Sequence, residues 1–128
     1  MILLDSDVAI DVLRGLPQAA AWYATLPQNE IIILPGYVAM EVIGGTRDSK
    51  DLRDTERWVA ACKVVWIEPS LCERAYQTLA QVHLRNAIGV LDILIAQVAI
   101  SLRLPLHTLN QKHFDVVPGL TTVRPYTR

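Results

Sequence analysis

The amino-terminal stretch ILLDSD, residues 2–7, constrains the fold most strongly, because three apolar residues lead directly into an acid at Asp5. An apolar run this short is typical of a buried strand and is too short to favour a helix. Asp5 therefore follows the end of a predicted strand. In open parallel α/β sheets, ligands bind beyond the carboxyl ends of the strands, which makes Asp5 a candidate site residue.

Short apolar strand candidates alternate with helical segments along the rest of the chain. The pattern predicts strands at residues 2–4, 31–34, 64–67, 104–108 and 120–123. The helices predicted between them cover residues 8–15, 17–26, 37–43, 47–61, 70–84 and 88–102. Ser70 and Glu73 have the spacing of a capping box at the start of the fifth helix. This succession predicts an α/β fold with helices on both faces of a parallel sheet.

The length and composition are those of one globular domain, residues 1–128, with a substantial core, since 52% of its residues are hydrophobic and 20% are charged. We expect a cytoplasmic protein, because the sequence shows neither a secretory leader nor an apolar run long enough to cross a membrane. Its two cysteines fit no metal-binding motif and are expected to be reduced. A net charge of −1 gives no basic footprint, so nucleic-acid binding would need a local patch or metal ions.

Three acids stand alone in apolar segments: Asp5 after the first strand, Glu41 in the third helix and Asp92 at the start of the last long helix. A buried ionised carboxylate must be protonated, paired with a cation or bound to a metal. Asn110 adds an oxygen donor beyond the fourth strand. Oxygen ligands without His or Cys favour Mg²⁺ or Mn²⁺, and such acidic sites are typical of phosphodiester hydrolysis.

Each of these residues also has an ordinary structural interpretation. Asp5 is suitably placed to cap the following helix, Glu41 to form a salt bridge, and Asp92 to interact with a helix dipole in the first turn. Asn110 is equally compatible with a plain turn. The case for a site rests on the three acids occurring together.

Four segments, in this order and spacing, resemble the PIN-domain ribonucleases, and specifically the VapC toxins of bacterial toxin–antitoxin pairs. They are LLDSDVAIDVL, YVAMEVIGG, GVLDILIAQVA and LPLHTLNQKHFDVVPGLTTVRPY. The resemblance implies a PIN-like three-layer α/β/α sandwich around a central parallel sheet of four to five strands. It also implies Mg²⁺- or Mn²⁺-dependent endoribonuclease activity, a VapB-like antitoxin partner and a homodimer.

By matching motifs, the resemblance assigns metal binding to Asp5, Glu41 and Asp92, and supporting roles to Ser6 and Thr108. Asn110 departs from the pattern, because many relatives carry a fourth aspartate at its position while others carry asparagine. Three further acids lie close to these motifs. We interpret Asp115 as a possible replacement for the fourth acid, Asp7 as a first-turn helix acid and Asp11 as solvated.

Substrate and partner contacts are less specified by the sequence. The candidate RNA-binding residues are the basic side chains nearest the motifs, Arg14, Arg85 and Lys112. The rings of Trp22, Tyr23 and Trp58 either pack in the core, which we favour, or serve a partner helix.

Three alternatives remain open from the sequence. Asp5-Ser6-Asp7-Val8 matches the opening motif of haloacid-dehalogenase-like phosphatases, although residues 107–114 lack the later aspartate pair. A phospho-receiver domain also places acids at strand ends, but Glu68-Pro69 stands where its acceptor aspartate is expected. A catalytically degenerate PIN domain that binds RNA or a partner is the third, with Asn110 as its only indication.

Overall fold

A five-stranded, fully parallel sheet forms the centre of the computed structural model, which describes residues 1–128. The strands are β1 (Ile2–Leu4), β2 (Ile32–Pro35), β3 (Lys63–Val65), β4 (Leu106–His107) and β5 (Thr122–Val123). They lie in the order β3-β2-β1-β4-β5, and every neighbouring pair is parallel. The predicted α/β fold with a parallel sheet is confirmed.

Seven helices connect and cover the strands, completing the α/β/α sandwich. They are α1 (Ser6–Arg14), α2 (Pro17–Ala24), α3 (Gly36–Gly44), α4 (Ser49–Ala61), α5 (Pro69–Val82), α6 (Val90–Leu102) and α7 (Gln111–Phe114). The predicted capping box on α5 is wrong, since the helix begins after Glu68 with Pro69 in its first turn and has no side-chain cap. Proline is preorganised for that position, and it moves the start of the helix ahead of Ser70. None of the helices is long and apolar enough to span a membrane.

The core is centred on β1 and β2, whose apolar residues are covered on both faces of the sheet. Leu3, Leu4, Ile33 and Leu34 are all buried. This explains why these strands are continuous apolar runs without alternating polar residues. Because β1 lies between β2 and β4, the chain leaves β1 in the middle of the sheet edge, where the Asp5 N–H donates to the His107 carbonyl at 2.9 Å.

The chain beyond β5 returns to α1 and covers Asp11, which is only 6% exposed. Arg128 donates from Nε and Nη2 to the two Asp11 carboxylate oxygens, each at 2.9 Å, and the Tyr126 hydroxyl donates to Oδ2 at 2.9 Å. Burial raises the pKa of Asp11, but the hydrogen bonds from Arg128 and Tyr126 outweigh it, and the pKa lies below its usual value. The interpretation of Asp11 as solvated is therefore wrong.

Replacing Asp11 with Asn is expected to lower the free energy of unfolding by about 1–2 kcal/mol, since it leaves the guanidinium and the hydroxyl without their charged acceptor. The expected loss of stability is small because the Arg128 side chain is 56% exposed and solvent screens its charge. Urea denaturation at pH 7 measures the change. Asp54→Asn is the matched control, because Asp54 forms exposed ion pairs on α4. Equal effects of the two variants would contradict a structural role for the Asp11 cluster.

Aromatic residues on α2 and α4 pack against the core, as the favoured interpretation predicts. Trp22, Tyr23 and Trp58 are partly buried against the core cluster. The Trp58 Nε1–H donates to the Tyr23 hydroxyl at 3.3 Å, which joins the two helices. Both cysteines are free thiols, as expected.

Candidate active site

The site begins at Asp5, which lies between the end of β1 and the first turn of α1 and is only 4% exposed. Its Oδ1 accepts a hydrogen bond from the Ser6 N–H at 2.8 Å, so the carboxylate also caps α1. Its Oδ2 accepts from the hydroxyl of Thr108 at 2.8 Å. Thr108 is fully buried just after β4, and its oxygen accepts from the Asn110 N–H at 3.1 Å. Its single hydroxyl proton is therefore free to hold Asp5.

Asp7 joins the same end of the sheet from the first turn of α1. Its Oδ2 accepts from the Leu109 N–H at 2.9 Å and lies 3.4 Å from the Thr108 hydroxyl. Its Oδ1 accepts from the Val8 N–H at 2.7 Å. The sequence correctly places Asp7 in a first helical turn but misses its contacts with the chain after β4. The available signal was the position of Asp7 two residues beyond the first candidate acid.

Asp92 lies in the first turn of α6 and pairs with a residue that the sequence analysis did not select. The His113 Nε2 on α7 lies 2.9 Å from Asp92 Oδ2. Because a carboxylate only accepts hydrogen bonds, the imidazole is the donor in this pair. His113 is three residues from Asn110, so its place in the last motif is the only signal for it.

Burial and neighbouring negative charge both disfavour the ionised form of Asp5. Burial raises the pKa of Asp5 to about 7, with a further increase from the charge of Asp7 and a smaller one from Asp92, against the lowering effect of hydrogen bonds from Thr108 and Ser6. Burial also raises the pKa of Asp7. Asp5, Asp7 and Asp92 therefore form an acidic group in which the charges of Asp7 and Asp92 oppose ionisation of Asp5.

The raised pKa of Asp5 predicts a specific pH dependence of stability. Between the usual value of 3.8 and about 7, the folded protein binds more protons at Asp5 than the unfolded chain does. The free energy of unfolding should therefore fall by about 2–4 kcal/mol across this range as pH rises. The measurement is urea denaturation of metal-free protein at several pH values, compared with Asp5→Asn so that other titrating groups cancel. A constant difference between the two proteins would contradict the raised pKa.

Glu41 is half-buried on α3, and its side chain makes no hydrogen bond or ion pair. It lines a cavity of about 450 Å³ between α1, α3 and α4, together with Ile10, Leu13 and Arg14.

No three His, Cys, Asp or Glu side chains stand close enough to hold one metal ion between them. The donor types fit a hard cation, since Asp5 and Asp92 offer carboxylate oxygens and Asp5 lacks a cationic partner. Two of the three predicted ligands, Asp5 and Asp92, lie within electrostatic reach of each other, and the third, Glu41, lines the cavity.

The predicted RNA-binding residues and the candidates for a fourth ligand all lie on the protein surface. Exposed positions are occupied by Asn110, Asp115, Arg14, Arg85 and Lys112. Arg85 donates to the Gln81 carbonyl at 3.1 Å at the far end of α5. Ser6 contributes its backbone N–H to Asp5, and its hydroxyl makes no hydrogen bond within the chain. Both predicted supporting residues, Ser6 and Thr108, therefore contact Asp5.

The strand order and the acidic site beyond the carboxyl end of β1, next to Thr108 after β4, define a class: α/β proteins with an acidic site at the centre of a parallel sheet. The sequence profile of the PIN domain matches residues 2–120. The chain is 34% identical over 121 residues to Ribonuclease VapC10 of Mycobacterium tuberculosis, covering 94% of this chain and 90% of that relative. It is 36% identical over 124 residues to Ribonuclease VapC19 of the same species, covering 94% and 97%.

Solved structures share the fold over nearly their whole length. A toxin–antitoxin complex from Klebsiella pneumoniae superposes with a TM-score of 0.81 at 23% identity, covering 100% of both chains. DNA-bound VapBC from Salmonella typhimurium gives a TM-score of 0.81 at 22% identity, covering 96% of this chain and 98% of the other. The chain therefore belongs to the PIN-domain family, and its VapC relatives confirm the resemblance drawn from the four motifs. This membership overturns the phosphatase and phospho-receiver alternatives.

Proposed function

We propose that the protein is a metal-dependent endoribonuclease that acts as the toxin of a toxin–antitoxin pair. The observation that carries the proposal is the buried Asp5 carboxylate, held by Thr108 beside Asp7 and close to Asp92. Acidic groups without a cationic partner are typical of nuclease sites that take divalent cations. The 34% and 36% identity to two proteins named as ribonucleases supports RNA as the substrate.

The proposed cofactor is Mg²⁺ or Mn²⁺, because the donors are carboxylate oxygens. Asp5 and Asp92 would hold the ion, with Glu41 as the proposed third ligand and Asn110 or Asp115 as candidates to complete the site. When bound, such an ion activates water and stabilises charge on the phosphate. Thr108 and the Ser6 N–H keep the Asp5 carboxylate oriented for this role.

Incubation of the purified protein with total RNA tests the activity. We expect discrete cleavage products with Mn²⁺ or Mg²⁺, none with EDTA, and none with Asp92→Asn in the presence of metal. Intact RNA after incubation of folded protein with millimolar Mn²⁺ would contradict the proposal. Mapping the ends of the products then identifies the cleaved sequence, with Arg14, Arg85 and Lys112 as the candidate backbone contacts.

The proposed partners are a VapB-like antitoxin and a second copy of the chain. Support comes from the structural neighbours, which include a toxin–antitoxin complex and a DNA-bound VapBC. Co-expression with the product of a short adjacent reading frame should give a co-eluting complex that no longer cleaves RNA. Light scattering of the isolated protein measures the dimer. A monomer at micromolar concentration would contradict the proposed homodimer and would leave the proposed antitoxin complex unaffected.

A catalytically degenerate PIN domain is the second candidate. The observation that favours it is the exposed amide at Asn110, where a fourth carboxylate would otherwise stand. Such a protein would bind RNA without cutting it. The cleavage assay, paired with a filter-binding measurement on the same RNA, separates the two candidates.

A further inference from the structure

We infer that His113 is a positioning residue, which holds the Asp92 carboxylate in one orientation through a hydrogen bond. The inference rests on the proposed function, since it assigns a role in preparing a metal ligand. It starts from the 2.9 Å contact between His113 Nε2 and Asp92 Oδ2.

The Asp92 carboxylate has an alternative set of hydrogen-bond donors in the free N–H groups at the start of its own helix. It is the third residue of α6, and the helix begins after Gly89, which has no side chain to cap the free N–H groups. An acid at this position usually turns back to bond the backbone at the helix start, where the dipole also attracts it. Asp92 makes no such bond, and its one hydrogen-bond partner is the imidazole of His113. The hydrogen bond with His113 therefore sets the orientation of this carboxylate.

The surroundings leave the carboxylate dependent on that single contact. Asp92 Oδ2 lies next to Gly89, 3.7 Å from the position that a Cβ would take there, and glycine has no side chain to confine or bond it. The Asp92 side chain is 33% exposed, while that of His113 is 24% exposed. The His113 ring meets the ring of Phe114 edge-on, with centroids 6.0 Å apart, and Phe114 is buried. The imidazole is thus the better anchored member of the pair.

The chain segment that carries His113 also contacts the other acids of the site. The stretch from Thr108 to Phe114 holds Asp5 through the Thr108 hydroxyl, Asp7 through the Leu109 N–H and Asp92 through His113. One short segment therefore fixes all three acids relative to one another. Groups that hydrogen-bond metal ligands typically change metal affinity about 10–100-fold when they are removed.

Two substitutions separate the hydrogen bond from the packing. His113→Phe keeps a ring beside Phe114 but loses the donor, whereas His113→Gln keeps an N–H donor at similar reach and loses the ring. Titration with Mn²⁺, followed by the electron paramagnetic resonance signal of the free ion, gives the affinity. We expect an affinity loss of about 10-fold or more for His113→Phe and near wild-type affinity for His113→Gln. The matched control is His83→Ala, since His83 is an exposed histidine at the C-terminal end of α5.

A double-mutant cycle with Asp92→Asn completes the test. If His113 acts through Asp92, His113→Phe has no further effect on Mn²⁺ affinity in the Asp92→Asn background. Wild-type affinity in His113→Phe, or losses that are additive with Asp92→Asn, would overturn the inference while leaving the proposed function intact. Absence of Mn²⁺ binding by the wild-type protein would overturn both.

Discussion

Replacing Asp5 with Asn is expected to abolish RNA cleavage and, in the metal-free protein at pH 7, to raise the free energy of unfolding by about 2 kcal/mol. The two effects have one cause. Burial and the charges of Asp7 and Asp92 raise the pKa of Asp5 to about 7, so the unfolded chain ionises this carboxyl more readily than the folded one does. Asparagine removes that cost, and it also removes the anionic oxygen that the proposed metal requires.

Measurement of both quantities on one preparation gives the sharpest result. Cleavage of total RNA in Mn²⁺ reports activity, and urea denaturation in EDTA reports stability. Asp115→Asn serves as a stability control, because Asp115 is exposed at the end of α7. An Asp5→Asn variant that cleaves RNA at the wild-type rate, or that is less stable than the wild type at pH 7, would contradict the site as described.

Adding Mn²⁺ to the wild-type protein should raise its melting temperature by about 10 °C when the ion is present at about 100 times its dissociation constant. Saturation at that level contributes about 2.7 kcal/mol to the folded state. For a chain of this size, each kcal/mol corresponds to about 3–5 °C. The ion has an additional effect here, because it lowers the pKa of Asp5 and favours the ionised form that the empty site disfavours.

Thermal melts with and without Mn²⁺, at constant ionic strength, measure this shift. Asp5→Asn should show a much smaller shift than the wild type, although the variant begins from a more stable metal-free state. A melting temperature that does not respond to millimolar Mn²⁺ would count against a metal site in this protein.

The central sheet could be predicted because its signals are local. The apolar runs at residues 2–4 and 31–34 need only their own composition to indicate buried strands, and the structure has β1 and β2 there within one residue. Asp5 follows from β1 by the geometry of parallel sheets. The start of α5 was misplaced because two capping signals overlap, and Pro69 prevails over Ser70.

The contacts within the site could not be predicted in the same way, because they join residues far apart in the chain. Asp11 looks like a solvated helix acid until the chain after β5 brings Arg128 to it, 117 residues later. His113 carries no periodic or capping signal, and its role depends on where α7 lies against α6. Glu41 differs from His113, because its apolar neighbours in the sequence single it out as a candidate. The sequence does not give the distance between Glu41 and Asp5, however.

The hydrogen bond between Thr108 and Asp5 spans 103 residues of sequence, which has a consequence for the order of assembly during synthesis. β1 leaves the ribosome well before its neighbour β4. Long-range parallel pairing of this kind forms late, because closure of the chain must precede any stabilising contact. A nascent chain therefore carries Asp5 without its Thr108 partner until β4 has been synthesised, and the acidic group takes shape only after that point.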